Sequence, residues 1–204
     1  MSIASDLQNL KVSIAQTAKS TGRKPEEVRL VIVTKTISAE KILEAYHLGE
    51  RDFGENRVQE WQDKKEVLPA DIRWHLIGHL QTNKVKYVIG KVSLIHSLDR
   101  RELAEEIEKQ ARNKGIKEVP CLVQVNMSGE KSKFGLAPEE VENFIAETVT
   151  SPSIKLQGIM SIGPLTEAEA EIRRCFRRTR ELLDVLKQKF PQHDLKILSM
   201  GMSA

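Results

Sequence analysis

Aromatic residues are scarce in this chain: two tryptophans, two tyrosines and five phenylalanines make up 4% of its 204 residues. A surface that grips nucleic acid by stacking bases needs more such platforms. Charge does not compensate, because 32 Lys and Arg against 29 Asp and Glu leave a net +3, too small to mark a phosphate-binding surface. Cysteine is nearly absent. Cys121 falls in an expected strand and Cys175 in an expected helix, with no Cys-x-x-Cys spacing, which reads as packed thiols rather than a metal site or redox pair. No apolar run approaches the ~20 residues of a membrane span. The N-terminus lacks the apolar core of a signal peptide, so the expectation is a cytoplasmic protein. No glycine-rich fingerprint follows an expected strand, which weakens a dinucleotide fold.

What is present is an ordinary globular balance, 40% hydrophobic and 30% charged, in a length that suits one domain over residues 1–204. Ile3, Leu7, Leu10, Ile14 and Ala18 recur at helical spacing and predict a helix over 3–20, ended by Thr21-Gly22. Strands are expected at 29–35, 51–54, 73–77, 93–97, 119–125, 154–160 and 195–200. Between them the spacing predicts helices at 38–47, 58–68, 80–89, 99–113, 138–149 and within 167–190. Ser38 and Asp99 read as N-caps, with Glu102 supporting the second, Pro138 as a helix opener and Gly49 as a C-cap. Such βα alternation without hairpin signals means parallel strands joined by crossover helices. The fold class is therefore α/β. An eight-stranded TIM-type barrel is the first choice and a doubly wound open sheet the runner-up.

Polar residues gather at the strand exits: Lys35, Glu55-Asn56, His75, His96-Ser97, Asn126, Ser161 and Ser203. In a parallel barrel that rim is where sites are built. Lys35 ends the run Arg29-Leu-Val-Ile-Val-Thr-Lys35 and shares a strand face with Val31 and Val33. A cation on that face loses hydration, which favours the neutral amine that condenses with an aldehyde; ending a strand and reaching for water is the plainer alternative. His75-x-x-x-His79 has a metal-ligand spacing, but Gly78 interrupts it and His75 lies on a strand, so no metal site is expected. Glu130, Lys131 and Lys133 precede Phe134-Gly135 in a loop at the expected mouth, either as a cover or as solvated chain. Arg173, Arg174, Arg177, Arg178 and Arg180 are balanced by Glu167, Glu169, Glu171 and Glu181, which reads as a solvated helix face in preference to an RNA surface.

Seven blocks carry a resemblance. They are Val33-Thr34-Lys35-Thr36, Phe53-Gly54-Glu55-Asn56-Arg57-Val58-Gln59-Glu60, the run from Trp74 to Lys84 that includes Gly78-His79-Leu80-Gln81, Ile95-His96-Ser97-Leu98-Asp99, Gln124-Val125-Asn126, Gly158-Ile159-Met160 and Leu198-Ser199-Met200-Gly201-Met202-Ser203. In this order the chain resembles the pyridoxal 5′-phosphate homeostasis proteins, whose barrel is similar to the N-terminal domain of alanine racemase. The resemblance implies that Lys35 carries the cofactor, pyridoxal 5′-phosphate, as a Schiff base. It further implies that Asn56, His75, Met160 and Met200 surround it and that Ser203 addresses its phosphate. Thr34 stands where family members often have serine. Family members continue past Ser203 with a helix and an eighth strand, a Gly-Ser-Thr phosphate loop and an arginine facing the pyridine nitrogen. The expectation is thus a barrel whose last helix and strand are missing from this chain.

Three functions compete on these residues: a protein that holds and delivers pyridoxal phosphate, a racemase-like enzyme, and a Schiff-base aldolase. Racemisation needs a base on each side of the α-carbon, and in alanine racemase the second comes from an extra domain and a partner subunit for which this chain has no residues. An aldolase needs a carboxylate or tyrosine near Lys35, and neither Tyr46 nor Tyr87 falls at a strand exit. The expected function is a non-enzymatic binding protein in intracellular cofactor homeostasis, a monomer or weak dimer that serves pyridoxal-phosphate-dependent apo-enzymes, with no nucleic acid or membrane partner.

Overall fold

Which side of each strand meets a helix is decided by the two-residue alternation of its side chains, and here that alternation separates two unequal hydrophobic layers. In the computed structural model, which describes residues 2–130, 132–148 and 151–202, parallel strands form one sheet in chain order. They are β1 (Ile32–Val33), β2 (Asp52–Glu55), β3 (Arg73–Leu76), β4 (Leu94–Leu98), β5 (Val119–Gln124), β6 (Ile154–Ile162) and β7 (Ile197–Gly201). The sheet curls into a part-barrel with β1 and β7 at its edges. The connecting helices are α2 (Ala39–His47), α3 (Val58–Val67), α4 (Val85–Val88), α5 (Arg101–Lys114), α6 (Val141–Thr148) and α7 (Glu169–Lys189), preceded by α1 (Ile3–Ser20).

The larger layer lies between sheet and helices. Phe53, Trp74, Ile95, Val123 and Ile159 from the strands meet Ile42, Trp61, Leu103, Ile107, Ile145 and Leu183 from the helices. α5 shows why the helices sit as they do: Leu103, Ala104, Ile107 and Ala111 fall on one stripe and are all buried, and each Leu or Ile so buried stabilises by roughly 1.5–3 kcal/mol. The smaller layer contains strand residues alone, Leu94, Leu122 and Met160 with Ile162 and Ile197 against them. It is the inner, concave face of the curled sheet.

Most expected boundaries hold within a residue or two, and α1 begins and ends as the periodicity predicts, with Ser2 and Ser5 capping each other reciprocally. Three expectations are corrected. β1 covers only Ile32–Val33 of the expected 29–35, because an edge strand has one neighbour and its ladder ends once the pairs with Phe53 and Gly54 are made. The helix expected over 80–89 is a 3₁₀ turn, Thr82–Lys84, followed by the short α4. Leu80, Val85, Val88 and Ile89 are buried as their spacing requires, but Thr82 and Asn83 favour a turn over helix interior. Asp99 is not the cap of α5; Arg100 holds that position without a side-chain capping bond, and the Asp99 carboxylate instead pairs with the Arg100 guanidinium at 2.6 Å. Ser38 does cap α2, though its hydroxyl makes no capping bond.

Candidate functional site

All strand exits lie on one rim because all strands run the same way. Ile32 and Val33 pair with Phe53 and Gly54, so Lys35 and Asn56 follow adjacent strands, β1 and β2. Lys35 is half-buried in a turn, and its ammonium makes no hydrogen bond or ion pair among the described residues. The next exit is pressed against Asn56: a Cβ on Gly78 would lie 2.4 Å from the Asn56 carbonyl oxygen and 2.7 Å from its Cα. Only glycine permits that approach.

The loop after β5 is fastened to the rim. The Asn126 carboxamide donates to the carbonyls of Glu130 at 2.9 Å and Lys133 at 3.3 Å and accepts from the Gly129 N–H at 3.1 Å. Lys133 reaches the Glu130 carboxylate and the Gly163 carbonyl, each at 2.7 Å, so the exits of β5 and β6 are tied together. Phe134 lies over the His79 ring with centroids 4.1 Å apart. Of the residues expected to cover the mouth, Lys131 lies outside the described residues.

Beneath the rim a chain of hydrogen bonds crosses the inner face. The Asp52 carboxylate takes two bonds from Arg73, at 2.9 and 2.6 Å, and one from His75 Nε2–H at 3.0 Å. His75 Nδ1 therefore accepts, and its partner at 2.9 Å is His96 Nε2–H. His96 Nδ1 then accepts from the Ser199 hydroxyl, also at 2.9 Å. Each tautomer is fixed by the one before it, beginning with a carboxylate that can only accept. Burial alone would raise the Asp52 pKa, but the Arg73 bonds and then His75 hold it down to about 2. Burial pushes His96 down to about 3, helped by the charge His75 would carry. His75 is lowered too, again by burial, with Asp52 opposing.

Acid stability follows from these directions. The unfolded chain takes up a proton at His96 near pH 6.5 while the folded chain resists until about 3, so the stability present above pH 6.5 is lost as pH falls through that window. The Asp52 contribution, present above about 3.8, is lost only as pH falls toward about 2. We expect urea unfolding at pH 4.5 to give a free energy roughly 2–3 kcal/mol below that at pH 7.5. His96→Asn should flatten the difference; an equally steep dependence in that variant would contradict the assignment.

Of the side chains expected to form the site, Lys35 and Asn56 follow the neighbouring strands β1 and β2, and Met160 lies on the inner face, buried against Leu94 and Leu122. His75 is buried on the same face with both ring nitrogens already engaged. Met200 is not brought to that face. It pairs with Ser161 while Met160 pairs with Ser199, so alternation turns its side chain to the other side of the sheet, where it is 44% exposed. Ser203 lies outside the described residues. Gln124 was not singled out for the site, yet it is the register partner of Met160 and its carboxamide oxygen is buried without a partner. An orphaned acceptor of this kind costs about 1–3 kcal/mol unless something else satisfies it. Cys121 and Cys175 are free and buried, and burial raises the Cys121 thiol.

The family profile described as alanine racemase, N-terminal domain, matches residues 5–204. The chain is 42% identical over 205 residues to the pyridoxal phosphate homeostasis protein of Aquifex aeolicus strain VF5, covering 100% of this chain and 89% of that protein. Its structure superposes on that of PipY of Synechococcus elongatus PCC7942 with PLP bound at a TM-score of 0.79 and 34% identity, over 94% of this chain and 90% of that one. An alanine racemase of Clostridium difficile shares the fold at a TM-score of 0.72 and 13% identity, over 94% of this chain and 56% of the other.

Proposed function

The chain belongs to the pyridoxal phosphate homeostasis protein family, and from that premise we propose that it binds pyridoxal 5′-phosphate, held as a Schiff base on Lys35, and serves cofactor homeostasis without turning over a substrate. The observation that carries the proposal is the Lys35 amine at the exit of β1, which makes no hydrogen bond or ion pair among the described residues. The surroundings suit a flat, polar-edged ring. Met160 offers a soft apolar wall, and the orphaned Gln124 oxygen is ready to accept from a ring substituent. The Asn56 backbone packs closely against Gly78. A phosphate needs hydroxyl and N–H donors, and Ser203, which lies outside the described residues, is the residue assigned to it. His75, held by Asp52 and His96, presents its ring on the inner face.

When bound, the cofactor supplies an electron sink for amino-acid chemistry; racemisation would further need a base on each side of the substrate. The rim imidazole, His79, is stacked on Phe134 and sits 3.6 Å from the Asp99 carboxylate. Tyr46 is committed to Asp71 at 2.7 Å. A racemase-like enzyme is therefore the second reading, and cytoplasmic delivery to apo-enzymes by a monomer or weak dimer the first.

Titrating the protein with pyridoxal phosphate should produce a visible absorption band that borohydride bleaches while adding one covalent equivalent. A chiral assay with alanine should show no turnover above free cofactor. Absence of the band would refute binding through an amine, and turnover above that of free cofactor would favour the enzyme. A companion expectation concerns Gly78→Ala: the added methyl meets the Asn56 backbone, so overpacking should cost about 1–3 kcal/mol and weaken cofactor retention. Unchanged stability in thermal melts would contradict that packing.

A further inference from the structure

The turn that carries Lys35 is held on both sides by three side chains of β2 and α3. On its N-terminal side, the Thr34 hydroxyl donates to Glu55 Oε1 at 2.6 Å. The Lys64 ammonium donates to the same oxygen at 2.6 Å and to the Thr34 carbonyl at 2.7 Å. Both members of this pair are well covered, with side-chain exposures of 1% for Glu55 and 11% for Lys64. On its C-terminal side, the main-chain N–H of Thr36 donates to Glu60 Oε2 at 2.9 Å, and Glu60 lies one helical turn from Lys64, 3.7 Å away. Thr36 itself has φ +61°, and it is the one described non-glycine residue on the left-handed side. A β-branched residue holds that conformation only when its surroundings enforce it.

We propose that Glu60, with Lys64 and Glu55 behind it, is a positioning residue for Lys35: it locks the left-handed turn that presents the Lys35 amine to the ligand's aldehyde, an inference that rests on the cofactor assignment above. The Thr34 hydroxyl and carbonyl and the Thr36 N–H are engaged by this clamp, whereas the Lys35 ammonium makes no bond among the described residues. Thr36 closes the turn further through its hydroxyl, which donates to the Lys35 carbonyl at 2.6 Å. A fixed pivot with a free amine raises the effective concentration of that amine at one point. It does nothing for the phosphate or the ring. Glu60 is partly exposed, so its replacement leaves the buried Glu55–Lys64 pair in place.

Loss of the clamp should therefore separate covalent capture from simple binding. Glu60→Ala is compared with the unsubstituted protein for Schiff-base formation with pyridoxal phosphate, read from the absorption band. Both are also compared for affinity toward pyridoxine 5′-phosphate, which has the ring and phosphate but no aldehyde. The expected result is a loss of about tenfold in Schiff-base formation, with pyridoxine phosphate affinity unchanged within about twofold. Glu60→Gln, whose carboxamide oxygen still accepts from Thr36 N–H, should recover most of the loss. In the cofactor-free protein, hydrogen exchange at the Thr36 amide should quicken in Glu60→Ala. Equal losses for both ligands would overturn the inference in favour of a merely structural role, and so would Schiff-base formation that persists unchanged in Glu60→Ala. No adduct in the unsubstituted protein would overturn the cofactor reading and this inference together.

Discussion

Gly158→Ala is expected to be the most damaging single-methyl change in the sheet. Gly158 sits at a register shift between β5 and β6, where Cys121 pairs with Leu156 but Leu122 with Gly158, so one residue is extra and the strand must bend. Its φ is +150°, and a Cβ there would lie 1.8 Å from the Ile197 carbonyl oxygen and 2.7 Å from the carbonyl carbon. No side-chain rotation relieves a clash with backbone. β7 pairs with β6 and, among the described residues, with no other strand, so the substitution must push β7 away or bend β6. Either movement also stretches the bond from Ser199 to His96. Backbone strain of about 1–3 kcal/mol and overpacking of about 1–3 kcal/mol combine to roughly 4 kcal/mol. Urea unfolding should show that loss, and amide exchange over residues 197–201 should accelerate ahead of the other strands. A variant within about 1 kcal/mol of the parent would contradict the pairing described for these two strands.

Lys35→Ala should have the largest effect on the ligand and almost none on the fold. The Lys35 ammonium has no bonded partner among the described residues, so its removal leaves no buried group unsatisfied and stability should stay within about 0.5 kcal/mol. Binding loses its only covalent link. The visible band should vanish, borohydride should add nothing, and the cofactor should leave the protein in gel filtration, with affinity weakened roughly a hundredfold, or about 2.7 kcal/mol. Lys35→Arg should fail in the same way, because a guanidinium stays protonated and cannot condense with an aldehyde. If Lys35→Arg kept the band, another amine would be responsible.

That Lys35 and Asn56 both stand at strand exits on one rim was legible because both follow short strands in adjacent βα units, and a parallel sheet puts such exits side by side. The helical stripe of α1 was equally plain. What could not be read is whatever depends on register between distant strands. Asp52, His75, His96 and Ser199 come together only once four strands are aligned, and nothing in their spacing announces it. Met200 illustrates the sensitivity: a step of one residue in a strand exchanges faces, so its neighbour Ser199 reaches the inner face and Met200 does not. The clamp around Lys35 was hidden for a different reason. Glu55 and Glu60 stood within a block already quoted for resemblance, but their partners are a threonine hydroxyl, a main-chain N–H and a lysine of α3, and such partners leave no pattern in a sequence. The helix expected over 80–89 failed through local chemistry, since its apolar face was right and its turn residues were not helical.

The most direct test of the whole account is to reduce the complex with borohydride, digest it and locate the modified lysine by mass spectrometry. The adduct should map to the peptide containing Lys35 alone, although the chain also offers Lys64 nearby on α3 and Lys84 and Lys133 around the same rim. An adduct on any of those three, with Lys35 unmodified, would contradict it.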